Sequence, residues 1–63
     1  MLPHQERVVT EQKELAEKLE KLTAFTFTDT FAALPAAEQE RLNRQHGIMT
    51  QYVNVLGERI AAF

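Results

Sequence analysis

The chain has 63 residues, a net charge of −2, 44% hydrophobic residues and no cysteine. This length suits one small domain, whose core alone supplies only about 3–5 kcal/mol of stability. The lack of cysteine excludes disulfides, iron–sulfur clusters and thiolate zinc sites. The two histidines, His4 and His46, are far apart in the sequence and have no carboxylate at metal-ligand spacing. Of the usual ways to stabilise a small domain, oligomerisation remains.

The charged residues are distributed unevenly. No acidic residue occurs from Arg41 to Gly57, a segment that also carries Arg44 and His46. The negative net charge argues against general affinity for long nucleic acids, whereas a local basic surface suits a small anion. The N-terminal sequence MLPHQERVV has no apolar run, and no stretch is long enough to cross a bilayer. We therefore expect a cytoplasmic protein without a membrane partner.

Residues from about 3 to 24 are predicted to form the first helix. Pro3 suits the first turn, where its missing N–H would have no acceptor within the helix. The apolar residues make a narrow seam that fits one partner helix, as in a coiled coil. The seam consists of Val8, Leu15, Leu19 and Leu22, with Gln5 and Gln12 on the same line.

Residues from about 25 to 34 are predicted to form a connector. Threonine and phenylalanine alternate in FTFTDTF, a pattern that also suits a strand, but a single short strand has no partner in this chain. We favour a short helical turn, with Thr28 as N-cap and Asp29 stabilising the first turn. Phe25, Phe27 and Phe31 are then expected to fill the open end of a helical hairpin.

Residues from about 35 to 62 are predicted to form the second helix, with Pro35 in its first turn. Apolar residues recur every three, four or seven positions in a line that we call the inner line: Leu42, Met49, Val53, Leu56 and Ile60. A second, outer line lies beside it: Ile48, Tyr52 and Val55. The combined arc is wider than one neighbouring helix requires. Gly57, beside the inner line, is expected to allow a close helix–helix approach, whereas nothing in the sequence explains Gly47.

The predicted fold is an all-α domain over residues 1–63, an antiparallel two-helix hairpin with a helical turn in its connector. The outer line would stay exposed in one hairpin, so we expect it to join subunits in a helical homo-oligomer, a dimer at minimum.

Catalysis is not expected. The chain has no cysteine and no serine, no glycine-rich phosphate loop and no paired-histidine motif, so no nucleophile or general base has an assignable role. We predict no catalytic residue, no metal and no cofactor.

Binding is the second possibility. Arg41, Ile48, Tyr52 and Arg59 project from similar sides of the second helix, with Arg44 and Gln45 beside them. A phenol ring between guanidinium groups suits a phosphorylated base, which can stack on the ring while the guanidinium groups bind phosphate. In the alternative interpretation, Tyr52 packs between subunits and the arginines pair with nearby carboxylates. Those carboxylates would be Glu38, Glu40 and Glu58.

His4 and Arg7 lie in the first turns of the first helix, where the helix dipole favours an anion. In an antiparallel hairpin they are far from Arg44 of their own chain. They would meet Arg44 of another subunit if hairpins pack antiparallel. The alternative is that both are ordinary surface residues.

Three segments carry a resemblance to a known family: LPHQERVVTEQKEL, FAALPAAEQERL and RQHGIMTQYVNVLGERIAAF. Together they resemble the hairpin domain of the phage sponge proteins that defeat CBASS and Thoeris immunity. The resemblance implies a helical oligomer, often a hexamer, that binds cyclic di- or trinucleotides between subunits without cleaving them. It further implies that such a protein works in the cytoplasm of the infected bacterium, where it blocks CBASS signalling.

The resemblance assigns the basic residue near the start of the second helix to a trinucleotide pocket, completed by the N-terminal turn of another subunit. Arg41 or Arg44 matches that residue. The candidate ligand-binding residues are His4, Arg7, Arg41, Arg44, Gln45 and Tyr52. The competing hypothesis is an oligomerisation or protein-interaction module that docks a host or phage protein.

Overall fold

A computed structural model describes all 63 residues of the chain. It contains three helices and no strand: α1 (Pro3–Phe25), α2 (Asp29–Ala32) and α3 (Ala36–Ala61). The long helices α1 and α3 pack against each other, and they run antiparallel, because Gln12 contacts Val53 whereas Thr23 contacts His46. The prediction of an all-α hairpin is confirmed; assembly into an oligomer stays a prediction.

The helix starts follow the expected local chemistry, with one difference. Pro3 opens α1, and the Gln5 side chain accepts a hydrogen bond of 3.0 Å from the Leu2 N–H, which has no acceptor within the helix. Pro35 was expected in the first turn of α3 but immediately precedes it, with a ψ angle of 145°. Its carbonyl accepts the first backbone bonds, from Glu38 and Gln39. The helix therefore starts one residue later than predicted.

The connector contains the predicted helical turn. Thr28 caps α2 because its hydroxyl oxygen accepts a hydrogen bond of 3.2 Å from the Phe31 N–H. The Gln39 amide nitrogen donates to the carbonyls of Ala32 and Leu34, at 3.2 and 2.9 Å. These bonds tie the connector to the start of α3 and so fix the direction in which the chain returns.

The connector phenylalanines do not all close the hairpin. Phe31 is buried and meets Phe25 edge-on, with ring centroids 6.0 Å apart. Phe27, in contrast, is 85% exposed, so the prediction that it fills the open end is wrong. It lies in the turn between the end of α1 and the Thr28 cap, which directs its side chain away from the helices.

The hairpin is long and thin. It measures 46 × 14 × 13 Å with a radius of gyration of 14.5 Å, compared with about 11 Å for a compact domain of this length. Its accessible surface is 4791 Å², whereas a compact monomer of this mass exposes about 4,100 Å². Only Val8, Phe31 and Leu56 are buried, and Leu56 alone is completely so. Two helices therefore enclose little interior.

The two apolar lines of α3 have different environments. Every inner-line residue is buried or half-buried. The outer line faces outward instead, with Ile48 60%, Tyr52 45% and Val55 50% exposed. The inner line therefore provides the apolar packing against α1.

Polar contacts also cross between the helices. The Gln12 amide nitrogen donates to the Val53 carbonyl at 3.3 Å, and a Cβ added at Gly57 would lie 3.0 Å from that nitrogen. Gly57 thus permits the close approach that its position predicts. Further along, the Thr23 hydroxyl donates to the Leu19 carbonyl at 2.9 Å, which leaves the His46 Nε2–H to donate to that hydroxyl, at 2.7 Å. Gly47 has nothing near it, and α3 continues through it.

None of the helices has the length and apolar character required to span a membrane.

Candidate functional site

The six candidate ligand-binding residues lie at three levels along the hairpin. Arg41, Arg44 and Gln45 are near the connector, Tyr52 is near the middle, and His4 and Arg7 are at the opposite end. Because Gln12 contacts Val53, Arg7 lies near the level of residue 58. That level is about 20 Å from Arg44 along α3, at 1.5 Å per residue. One hairpin therefore does not bring the predicted residues to one site.

Arg41 forms the one ion pair in the structure. Its Nε lies 3.1 Å from an Oε1 oxygen of Glu38, one turn earlier, and the two side chains are 58% and 43% exposed. Exposed pairs of this kind contribute at most about 1 kcal/mol. The contact uses Nε, so the two terminal guanidinium nitrogens remain available to an anion.

Arg44 is exposed and takes part in no ion pair. It lies inside the acid-free segment from Arg41 to Gly57. Its neighbour Gln45 is also exposed, and the amide nitrogen of Gln45 contacts only the Met49 sulfur, at 3.7 Å. Thioether sulfur is a weak acceptor, so both side chains keep most of their donor groups for another partner.

Tyr52 has a partner that the sequence did not predict. Its hydroxyl donates a hydrogen bond to the Glu11 carboxylate. This bond, followed by desolvation and the charge of Glu11, raises the pKa of Tyr52, while the Arg59 guanidinium acts in the opposite direction. The carboxylate disfavours a phosphate at the hydroxyl, so the ring is better placed to stack on a base than to bind an anion.

Arg7 lies in an acidic setting at the start of α1. It shares a shallow surface groove with three carboxylates; the groove is lined by Pro3, Glu6, Arg7, Thr10, Glu11 and Glu14. His4 is exposed nearby. Within a single hairpin, these carboxylates oppose an anion beside Arg7, so the predicted anion site requires additional positive charge from elsewhere.

Glu11, Glu38 and Arg59 adjoin the six candidate residues. The sequence placed Arg59 on the same side as Tyr52, and its alternative interpretation paired Glu38 with an arginine. Glu38 was identifiable, because residues three apart on a helix are neighbours. Glu11 was not, because its contact with Tyr52 depends on how α1 and α3 align. No group of three or more histidine, aspartate or glutamate side chains is arranged to hold a metal ion.

Comparison with known proteins identifies a family for this chain. No curated protein and no solved structure matches the chain. The sequence model of the Sequestin family matches residues 2–62, nearly the whole chain, and this match confirms the resemblance to the phage sponge proteins. With its two-helix fold and an arginine-bearing exposed face on α3, the chain belongs to the Sequestin family.

Proposed function

We propose that this protein binds cyclic di- or trinucleotide second messengers and sequesters them without cleavage. In this proposal it is a phage protein that acts in the cytoplasm of the infected bacterium and blocks CBASS signalling. Membership of the Sequestin family supports this function. The observation in the structure that carries it is Arg44, an exposed guanidinium with no carboxylate partner in an acid-free segment.

The proposed protein is a homo-oligomer, a dimer at minimum and a hexamer by analogy with the sponges. The exposure of Ile48, Tyr52 and Val55 supports an interface on the outer line. The number of hydrogen bonds that tight binding of a charged ligand requires also favours an oligomer. Sequestration at tens of nanomolar needs about −10 kcal/mol, while each hydrogen bond to a charged group supplies about 1.5–3 kcal/mol. One hairpin places too few donors at any one level, whereas several copies around a shared pocket would provide them.

Thermal denaturation with cyclic GMP–AMP and cyclic tri-adenylate tests this function. A ligand at a hundred times its dissociation constant should stabilise the fold by about 2.7 kcal/mol, which raises the melting temperature of a protein this small by several degrees. Chromatography of the released ligand should recover it intact. If neither messenger nor any related cyclic nucleotide shifts the melting temperature, the sequestration proposal fails and the protein-interaction hypothesis takes its place.

Arg44→Ala tests the assigned residue. It should weaken binding without changing the mass of the oligomer, because Arg44 is exposed and takes part in no ion pair of the hairpin. Lys13→Ala, an exposed cation on α1, is the control and should bind as the unaltered protein does. If Arg44→Ala also dissociates the oligomer, Arg44 belongs to the interface instead.

A further inference from the structure

Arg59 lies at nearly the same level of the hairpin as Arg7. The contacts of Glu11 with Tyr52 and of Gln12 with Val53 set the register between α1 and α3. Counting five residues back along α1 from Gln12 reaches Arg7, and counting five residues forward along α3 from Val53 reaches Glu58, one residue before Arg59. The end of the hairpin opposite the connector therefore carries two guanidinium groups at nearly the same level.

The outer line continues into a longer repeating pattern. Steps of four and three residues alternate from Arg41 to Arg59, which is the spacing of a coiled-coil seam. We call this the outer seam: Arg41, Gln45, Ile48, Tyr52, Val55 and Arg59. It lies about 100° around α3 from the inner line, at 3.6 residues per turn. Its centre is apolar and exposed, and each end is an arginine.

We propose that a second copy of this chain packs its α3 antiparallel onto the outer seam, centred near residue 50, so that Arg59 of the partner subunit lies beside Arg41 and the two hold a phosphate group. This inference rests on the proposed function, which supplies the ligand. The seam matches itself when reversed, because positions 41 and 59, 45 and 55, and 48 and 52 are equally distant from its centre. A two-fold axis there creates two identical arginine junctions.

Charge complementarity selects the antiparallel arrangement over the parallel one. Glu38, which pairs with Arg41 at 3.1 Å, is the acidic group at the connector end of the seam, while Arg59 has no ion-pair partner in its own hairpin. Antiparallel packing gives each junction one Glu38 carboxylate and two seam arginines. Parallel packing would instead place two unpaired Arg59 side chains against each other.

Each antiparallel junction brings three guanidinium groups together, so it supplies the additional positive charge that Arg7 lacks among the carboxylates of its own groove. It contains Arg41 with Glu38 from one subunit, together with Arg59 and Arg7 of the partner subunit. Guanidinium groups bind phosphate oxygens in bidentate fashion, so this junction suits a phosphodiester better than either end of a lone hairpin. Glu11 accepts a hydrogen bond from Tyr52 near the middle of the outer seam. Its negative charge repels an anion there, so the anion binds at the junctions instead.

Cysteine cross-linking tests the arrangement directly, since the chain has no cysteine of its own. Disulfides form when the two Cα atoms are within about 7 Å. A mixture of Gln45→Cys and Val55→Cys should form the mixed dimer on oxidation, whereas neither variant should cross-link well alone, because identical positions lie about 15 Å apart along the axis. Asn54→Cys mixed with Gln45→Cys is the control and should not cross-link. Cross-linking of each variant to itself, or none in the mixture, overturns the antiparallel seam.

Arg59→Gln tests the phosphate junction. It should reduce the affinity for cyclic tri-adenylate or cyclic GMP–AMP by about tenfold or more, the effect of losing one hydrogen bond to a charged group. Lys13→Gln should leave the affinity unchanged. If the unaltered protein binds a messenger and Arg59→Gln binds it equally well, the junction is wrong while the proposed function stands. If no messenger binds, the sequestration function and the phosphate junction both fail. The cross-link between positions 45 and 55 still tests whether the outer seams pack antiparallel.

Discussion

The Tyr52 hydroxyl donates a hydrogen bond to the Glu11 carboxylate and joins α3 to α1 at mid-length. The two residues are 41 positions apart in the sequence. The contact places a negative charge beside the only tyrosine of the chain, within the exposed surface that we propose as the subunit interface. The contact therefore both connects the two long helices and fixes a carboxylate beside the outer line.

The pKa of Tyr52 is expected to lie above the ordinary tyrosine value of about 10, mainly because the neutral phenol donates to Glu11. Since the fold favours the protonated form, this contribution to stability is present below about pH 10 and is lost as the pH rises through the folded-state pKa. The chain has one tyrosine and no tryptophan, so an absorbance titration reports this group alone. Glu11→Ala should lower the pKa toward 10, and Glu14→Ala should not. Equal titration curves for the two variants would contradict the contact.

The two glycines of α3 should respond differently to alanine. Gly47→Ala is expected to raise the free energy of unfolding by about 0.5–1 kcal/mol, because alanine favours the helix and nothing lies within 4 Å of the new Cβ. Gly57→Ala should raise the free energy of unfolding by less than Gly47→Ala does, or lower it, since the new Cβ would be 3.0 Å from the Gln12 amide nitrogen. Denaturant unfolding measures both. In a protein that also carries Gln12→Ala, Gly57→Ala should raise the free energy of unfolding as Gly47→Ala does. If the two glycine substitutions stabilise the unaltered protein equally, the helices are farther apart at Gly57 than the structure shows.

Leu56→Ala is expected to unfold much of the protein. Leu56 is completely buried, and such truncations cost about 2–5 kcal/mol, close to the whole stability of a core this small. Leu2→Ala makes the same chemical change at a side chain that is 56% exposed and should have little effect. Circular dichroism and chemical denaturation measure the difference. A Leu56→Ala protein as stable as Leu2→Ala would contradict the packing of α1 on α3.

Thr28→Ala should destabilise the connector by about 1 kcal/mol, the usual effect of losing an N-cap side chain. The Thr28 hydroxyl accepts from the Phe31 N–H and itself donates to the Phe25 carbonyl at 2.7 Å. Thr30→Ala is the matched control at an exposed position within α2. Thermal unfolding of the two variants should differ by a few degrees; identical curves would show that the cap contributes nothing.

Local features of the fold were predictable from the sequence. The inner line follows the helical repeat, and the Thr28 cap depends on residues only three apart, so neither requires knowledge of distant parts of the chain. The direction of Phe27 was different. The direction of a side chain in a turn depends on the backbone angles of that turn, which the sequence does not specify. The apolar character of Phe27 alone favoured burial. The sequence therefore predicted the helices correctly and the environment of Phe27 incorrectly.

The candidate site was less predictable for a physical reason. Helical spacing shows that Arg41 and Tyr52 share one side of α3, but it does not show which part of α1 lies opposite. The Glu11 carboxylate beside Tyr52 and the Thr23 contact of His46 both depend on the register between the helices. A pocket shared between subunits depends in addition on how one chain is aligned with another. Helical spacing placed Arg59 on the same side of α3 as Tyr52, but its level relative to Arg7 depends on the register between the helices.

The polar contacts between α1 and α3 have a consequence for misalignment. A leucine-rich seam with a seven-residue repeat nearly matches itself after a slip of one heptad, which shifts one helix by about 10 Å. The bonds of Gln12 to Val53 and of His46 to Thr23 are part-buried, and each contributes about 0.5–1.5 kcal/mol only in the native alignment. They discriminate against slipped hairpins that apolar packing would tolerate. The same discrimination holds Arg7 near the level of Arg59, so both guanidinium groups stay at one end of the hairpin.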